Sequence, residues 1–90
     1  MKKHIWKIED DLFLIDYLMK YYKNRDWNEL IISISSKIGT SHSSVKMRIS
    51  NYIHILGGKG LENYADISKE AIEIAVNKYG KSKLLLVFSN

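Results

Sequence analysis

The 90-residue sequence contains no cysteine and no proline. Without cysteine the chain forms neither disulfides nor thiolate metal sites, and without proline its element boundaries must be inferred from glycines, capping residues and hydrophobic periodicity. The sequence also has no long apolar run and no signal-type start, because the acidic residues 9–11 follow soon after the basic residues 2–3. We therefore expect a cytoplasmic protein that does not have a membrane as a partner.

Length and charge limit the possible functions. Ninety residues make one domain with a modest core, which is small for an enzyme with a separate substrate domain. Fourteen Lys and Arg against ten Asp and Glu give a net charge of +4, which favours anionic partners without requiring them. His4, His42 and His54 are spread out, and no set of nucleophile, base and oxyanion donors can be assembled. We expect no metal, no cofactor and no catalysis.

Hydrophobic spacing predicts an all-α fold. A first helix is expected over residues 9–22, with three acidic residues in the opening turn, where the helix dipole favours them. It is apolar nearly all round, so a second side must be covered by the C-terminal part of the chain or by another molecule. Asp26, with Glu29 three residues later, is typical of the start of a second helix, and Gly39 is a good stop.

The segment from Gly39 to Tyr52 has the pattern of a recognition helix. Ser41 can cap it, and the connection to the second helix has the length that a helix-turn-helix uses. Its apolar stripe consists of Val45, Ile49, Tyr52 and Leu56. The opposite side carries small polar or flexible side chains and one cation, namely Ser43, Lys46, Met47, Ser50 and His54. Such side chains suit close approach to a DNA groove, although any solvated helix face can have this composition.

The remaining sequence predicts a loop, a helix and a tail. Glycines mark a loop over residues 57–67, and Ser68 is the expected cap of a fourth helix over 68–79. Residues 80–90 form an apolar tail that is too short to span a membrane and too apolar to stay in water. The tail is expected to cover the first helix or to make a homodimer contact. In this interpretation residues 1–90 are a single domain whose trihelical core spans 6–56.

A family resemblance agrees with this layout. The chain resembles the Myb/SANT-type three-helix domain at Trp6, Glu9-Asp10-Asp11, Leu14-Ile15, Trp27 and Gly39 through Asn51. The stretch from Gly39 to Tyr52, with Gly60-Leu61-Glu62-Asn63 after it, is more closely similar to the helix-turn-helix module that precedes HNH-type nuclease domains in bacterial restriction-like proteins. No HNH motif follows in this chain, so the resemblance implies the accessory module without the nuclease.

The resemblance implies that helix three enters the major groove, with Lys46, Met47 and Ser50 facing the bases. Met47 and Ser50 stand where asparagines are usual, and Thr40 replaces a common arginine. These departures put a Myb-like sequence preference in doubt. The resemblance also implies that Trp6 and Trp27 are core aromatic residues.

The candidate DNA-contacting residues combine cations with polar residues near helix three. They are Lys37, Ser41, Ser43, Ser44, Lys46, Met47, Arg48, Ser50 and Lys59. Two alternatives stay open. Arg48 lies near the edge of the apolar stripe and can instead form an internal salt bridge with an acidic residue among 9–11, and the serines can serve only as local caps.

The leading expectation is non-catalytic binding of double-stranded DNA. The alternative is a protein-interaction module or small inhibitor, of phage or mobile-element type, that binds a nuclease or another defence protein through the same fold. Acidic residues flanking helix three would favour the protein partner, whereas cations clustered there would favour DNA.

Overall fold

A computed structural model describes residues 5–57 and 66–89. These residues form five helices, which are α1 (Ile8–Tyr21), α2 (Trp27–Ile38), α3 (His42–Gly57), α4 (Asp66–Tyr79) and α5 (Lys81–Phe88). The described residues contain no strand, so the prediction of an all-α fold is confirmed. Within the same two segments, none of the helices combines the length and apolarity that crossing a membrane requires.

Local chemistry sets the limits of α1 and α2. The backbone N–H of Lys7 donates to the Asp10 carboxylate at 3.0 Å, and this hydrogen bond caps the start of α1. At the start of α2, the Asp26 carboxylate accepts from the first-turn backbone N–H groups of Asn28 and Glu29. Gly39 ends α2 with φ of 87°, a conformation that glycine adopts without steric cost. The predicted second helix is confirmed at both ends.

The connection from α2 to α3 is short. It consists of Gly39, Thr40 and Ser41, and α2 and α3 pack against each other. The Ser41 hydroxyl accepts from the backbone N–H of Ser44 at 3.1 Å. This bond satisfies one of the amides that the first turn of a helix leaves without an intrahelical partner. Ser41 is therefore the cap of α3, as predicted.

The predicted start of the fourth helix is wrong. α4 begins at Asp66, so Ser68 lies inside the helix, where its side chain is fully buried and does not serve as the cap. The predicted loop over 57–67 is correspondingly too long, because Gly57 belongs to α3 and residues 66–67 belong to α4. Lys59 and the rest of segment 58–65 lie outside the described residues.

The predicted apolar tail is in fact a helix. Gly80, with φ of 89°, separates α4 from α5, which begins at the next residue. Leu84, Val87 and Phe88 are buried, and α5 packs against α1, α3 and α4. Their spacing puts these three side chains on one side of the helix. The contact of α5 with α1 is one of the two roles expected for the tail, and the other, a homodimer contact, stays a prediction.

One hydrophobic core joins all five helices. Its fully buried members include Leu18, Leu30, Tyr52, Ala71 and Leu84, one from each helix in turn. The second side of α1 is covered by α4 and α5. Trp6 and Trp27 are partly buried against this core, which confirms their predicted role. The core thereby holds α3 by one side and leaves its other side to solvent.

Candidate nucleic-acid interface on the third helix

The two sides of α3 differ as the sequence predicts. Val45, Ile49, Tyr52 and Leu56 are buried in the core. The outward residues are Ser43, Lys46, Met47 and Ser50, all of which are exposed, together with the half-buried His54. Met47 has 66% of its surface accessible, so this side also presents one large apolar side chain to solvent. This outward side is the candidate interface.

The nine candidate DNA-contacting residues fall into four groups. Six are exposed, namely Lys37, Ser41, Ser43, Lys46, Met47 and Ser50. Ser44 is half-buried, and Arg48 is buried with 8% of its surface accessible. Lys59 lies outside the described residues. The structure therefore keeps six of the nine candidates within reach of a partner at the surface.

Arg48 forms the internal salt bridge that the sequence left open. Its guanidinium donates to both carboxylate oxygens of Asp11, from Nε at 3.1 Å and from Nη2 at 2.5 Å. The Tyr52 hydroxyl donates to the same carboxylate. Asp11 is 0% exposed, and a buried carboxylate is tolerated only when charge and hydrogen bonds compensate for the lost water. Arg48 is therefore paired with Asp11 inside the protein and is not part of the exposed interface.

Trp6 extends this network to the first turn of α3. Its ring lies over the Arg48 guanidinium, 4.6 Å from the ring centroid, and its Nε1 donates to the Ser44 hydroxyl at 3.0 Å. The pKa of Tyr52 is raised well above its usual value, chiefly by burial and further by the Asp11 carboxylate. The network connects Trp6 and α1 to α3, and so holds α3 in its orientation relative to α1.

The charge on this part of the chain is of one sign. Residues 30–61 contain no Asp or Glu. The carboxylate that does reach α3 from α1, that of Asp11, is neutralised by Arg48. The charges of Asp11 and Arg48 cancel, and the exposed lysines of α2 and α3 are Lys37 and Lys46. An anion approaching the outward side of α3 therefore meets hydroxyl and ammonium groups and no carboxylate from α3 itself. The one acidic residue of α2, Glu29, lies in the first turn of that helix.

One partner in the network could have been identified from periodicity. Asp11 lies four residues before Ile15 and seven before Leu18, which places it on the buried stripe of α1. An acidic residue on such a stripe signals a buried partner of opposite charge. The hydrogen bond from Trp6 to Ser44 has no comparable signal, because the two residues are 38 positions apart.

Other kinds of site receive no support from the described residues. In segments 5–57 and 66–89 there is no group of three His, Asp or Glu side chains that could hold a metal ion. No protein-family model, curated protein or solved structure matches the chain. The resemblance to Myb/SANT-type domains stays a prediction.

Proposed function

We propose that the protein binds double-stranded DNA without catalysing a reaction on it, and that α3 lies in the major groove. The observation that carries the proposal is the outward side of α3, where Ser43, Lys46, Met47 and Ser50 are exposed, on a helix that contains no Asp or Glu. Hydroxyl and ammonium groups contact phosphates and base edges, and a thioether packs against the thymine methyl group.

The proposal treats α1, α2 and α3 as a helix-turn-helix unit. The three-residue connection through Gly39, the packing of α2 on α3 and the exposed side of α3 support this assignment. In such a unit the second helix of the pair enters the groove and the first helix crosses the backbone. Lys37, in the last turn of α2, then lies near the connection and contacts a phosphate.

The number of available cations limits the expected affinity. With Lys37 and Lys46 as the phosphate contacts, the slope of log K against log salt concentration is about −1.8. Binding then weakens roughly tenfold between about 50 and 200 mM salt. The non-specific Kd at physiological salt is on the order of 10⁻⁵ M. A weak, moderately salt-dependent interaction is therefore the expected signature of one module.

Fluorescence anisotropy of a labelled random duplex, measured across a series of salt concentrations, tests the proposal. Lys46→Ala is expected to weaken binding several-fold and to reduce the magnitude of the salt slope by about 1, without lowering the melting temperature. Lys83→Ala is the matched control, because Lys83 is an exposed lysine on α5 and its replacement changes the net charge equally. Equal weakening by both variants would show attraction by net charge alone, and would contradict an interface on α3.

The alternative function uses the same side of α3 for a protein partner, such as a nuclease or another defence protein. The observation that favours it is the exposure of a large hydrophobic side chain on each of the two helices, namely Met47 on α3 and Ile32 on α2. Methionine is common at protein-binding surfaces, where its flexibility lets it adapt. Absence of duplex binding even at low salt would favour this function, and replacement of Met47 would then be the next experiment.

A further inference from the structure

An aromatic ridge lies along one side of α1, where its first ring is exposed and the other two are half-buried against the core. It consists of Phe13, Tyr17 and Tyr21, one helical turn apart, and it ends at Arg25 in the turn before α2. Neighbouring ring centroids are 5.5 Å apart for Phe13 and Tyr17, and 4.7 Å apart for Tyr17 and Tyr21. The Arg25 guanidinium lies over the Tyr21 ring at 4.9 Å and donates to the Tyr17 hydroxyl at 2.9 Å.

The ridge carries positive charge that the described part of the chain does not neutralise. Lys20, Lys23 and Arg25 lie within six positions, and none of them forms a salt bridge with a described residue. Of the three nearest carboxylates in sequence, that of Glu29 forms no salt bridge with these cations, and the other two are engaged elsewhere. Asp16 accepts from Lys78 and Tyr79 of α4, and Asp26 accepts from backbone amides of α2.

We propose that the aromatic ridge binds an acidic segment of a partner protein that also presents an apolar side chain. Aromatic residues and arginine dominate the well-packed centres of protein interfaces. Phe13 is 37% exposed and supplies the apolar contact, while the three cations supply complementarity to carboxylates. This surface is separate from the outward side of α3 and does not depend on DNA binding.

The arrangement of the rings favours a protein over a single-stranded nucleic acid. A base stacks on an open ring face. The Tyr21 ring already has the Arg25 guanidinium and the Lys20 ammonium over it, the latter at 5.3 Å, and Tyr17 is tilted by 53° beside it. The spacing of 4.7 Å leaves no room for a base between these two rings. Ring edges, hydroxyl groups and guanidinium N–H groups remain, and these suit carboxylates and aliphatic side chains.

The ridge also specifies the spacing of groups in its partner. Phe13 and Tyr21 are eight residues apart, which is about 12 Å along a helix. An extended peptide covers that distance in about four residues. Glu9 is exposed one turn before Phe13, so the acidic end of the partner is repelled there and is attracted towards Arg25. The matching segment therefore has an apolar residue followed or preceded at about four residues by carboxylates.

Preorganisation strengthens this surface. Binding normally orders flexible side chains at a cost, and arginine is among the most costly to order. The hydrogen bond from Arg25 to Tyr17 and its stacking on Tyr21 already hold the guanidinium in place. Binding of a carboxylate to Arg25 therefore has a smaller entropy cost for ordering the arginine side chain than binding to an arginine without these contacts.

The test uses the full chain and a labelled synthetic peptide in which two leucines precede three glutamates by about four residues. A second peptide has glutamine in place of each glutamate. Amide chemical shifts are measured by NMR during each titration. We expect the glutamate peptide to perturb residues 13–25 and the glutamine peptide to bind at least about fivefold more weakly. No perturbation of residues 13–25 at millimolar glutamate peptide would overturn the proposal.

Matched variants separate the ridge from general attraction. Phe13→Ser is expected to weaken binding of the glutamate peptide at least about fivefold, and Arg25→Gln is expected to weaken it several-fold. Leu86→Ser and Lys83→Gln make the same kinds of change at exposed positions on α5 and are expected to leave the affinity unchanged. Equal losses at both surfaces, or tighter binding of a labelled oligothymidine to residues 13–25, would contradict an acidic protein partner.

Discussion

Replacing Arg48 with methionine tests whether its salt bridge with Asp11 holds α3 against α1. Methionine keeps much of the length and volume of the side chain but removes the guanidinium that donates twice to the carboxylate. Asp11 is 0% exposed, so the variant leaves a buried carboxylate with the Tyr52 hydroxyl as its remaining described donor. Breaking a buried pair in this way costs about 3–5 kcal/mol.

That cost is large for a domain of this size. At roughly 0.05–0.15 kcal/mol per residue, a 90-residue domain has a free energy of unfolding of about 5–13 kcal/mol. Urea denaturation followed by far-UV circular dichroism is the assay. With an m-value of about 1–2 kcal/mol per molar, the midpoint of Arg48→Met is expected to fall by roughly 2 M. A loss of less than about 1 kcal/mol would refute the assignment of Arg48 and Asp11 as a buried pair.

A second variant identifies the cause of the loss. Asp11→Leu with Arg48→Met replaces both charges by apolar groups, which is often close to neutral for a buried pair. We expect this double variant to be more stable than Arg48→Met alone by at least about 2 kcal/mol. If the double variant is instead the less stable protein, lost packing at position 48 explains the effect and the buried charge does not.

Two further predictions concern pH and the backbone. Burial and the Asp11 carboxylate raise the pKa of Tyr52 in the folded protein above the 10.0 expected for the unfolded chain, so the folded state keeps this proton when the unfolded state loses it. The urea midpoint should therefore fall as pH rises above about 10, and should fall less in Tyr52→Phe; identical pH profiles would contradict this role. Gly39→Ala should lower the free energy of unfolding by about 1–2 kcal/mol, because Gly39 has φ of 87°. Gly57→Ala is the control, because an added Cβ meets no atom within 4 Å at either position but Gly57 has no positive φ. It should be neutral or stabilising by up to about 1 kcal/mol. Equal urea midpoints for the two alanine variants would contradict a role for the positive φ of Gly39 in stability.

Elements with local signals could be predicted from the sequence. The limits of α2 follow from the Asp26 cap and from Gly39, and the cap of α3 follows from Ser41. The apolar stripe of α3 was also predictable, because helical spacing alone places Val45, Ile49 and Tyr52 on one side. Each of these features depends on residues within about two turns of one another.

Elements that depend on distant packing could not be predicted. Leu84 to Phe88 are five apolar residues in a row, a run without a period that distinguishes a helix from an extended segment. Ser68 resembles a cap in sequence, yet packing buries it inside α4. The choice between an internal and a phosphate contact for Arg48 depended on Asp11, which is 37 residues away. The exposed side of α3 was predicted correctly, because helical spacing alone separates it from the apolar stripe.

The packing of α5 also determines when the protein can fold during its synthesis. The Phe88 ring lies 5.4 Å from that of Tyr52, and Leu84 and Val87 are buried in the same core. Burying three such side chains contributes about 5–8 kcal/mol, which is comparable to the whole stability of a small domain. A nascent chain that stops before α5 therefore lacks a stable core. We therefore expect the five helices to fold together once α5 has been synthesised, and not one after another.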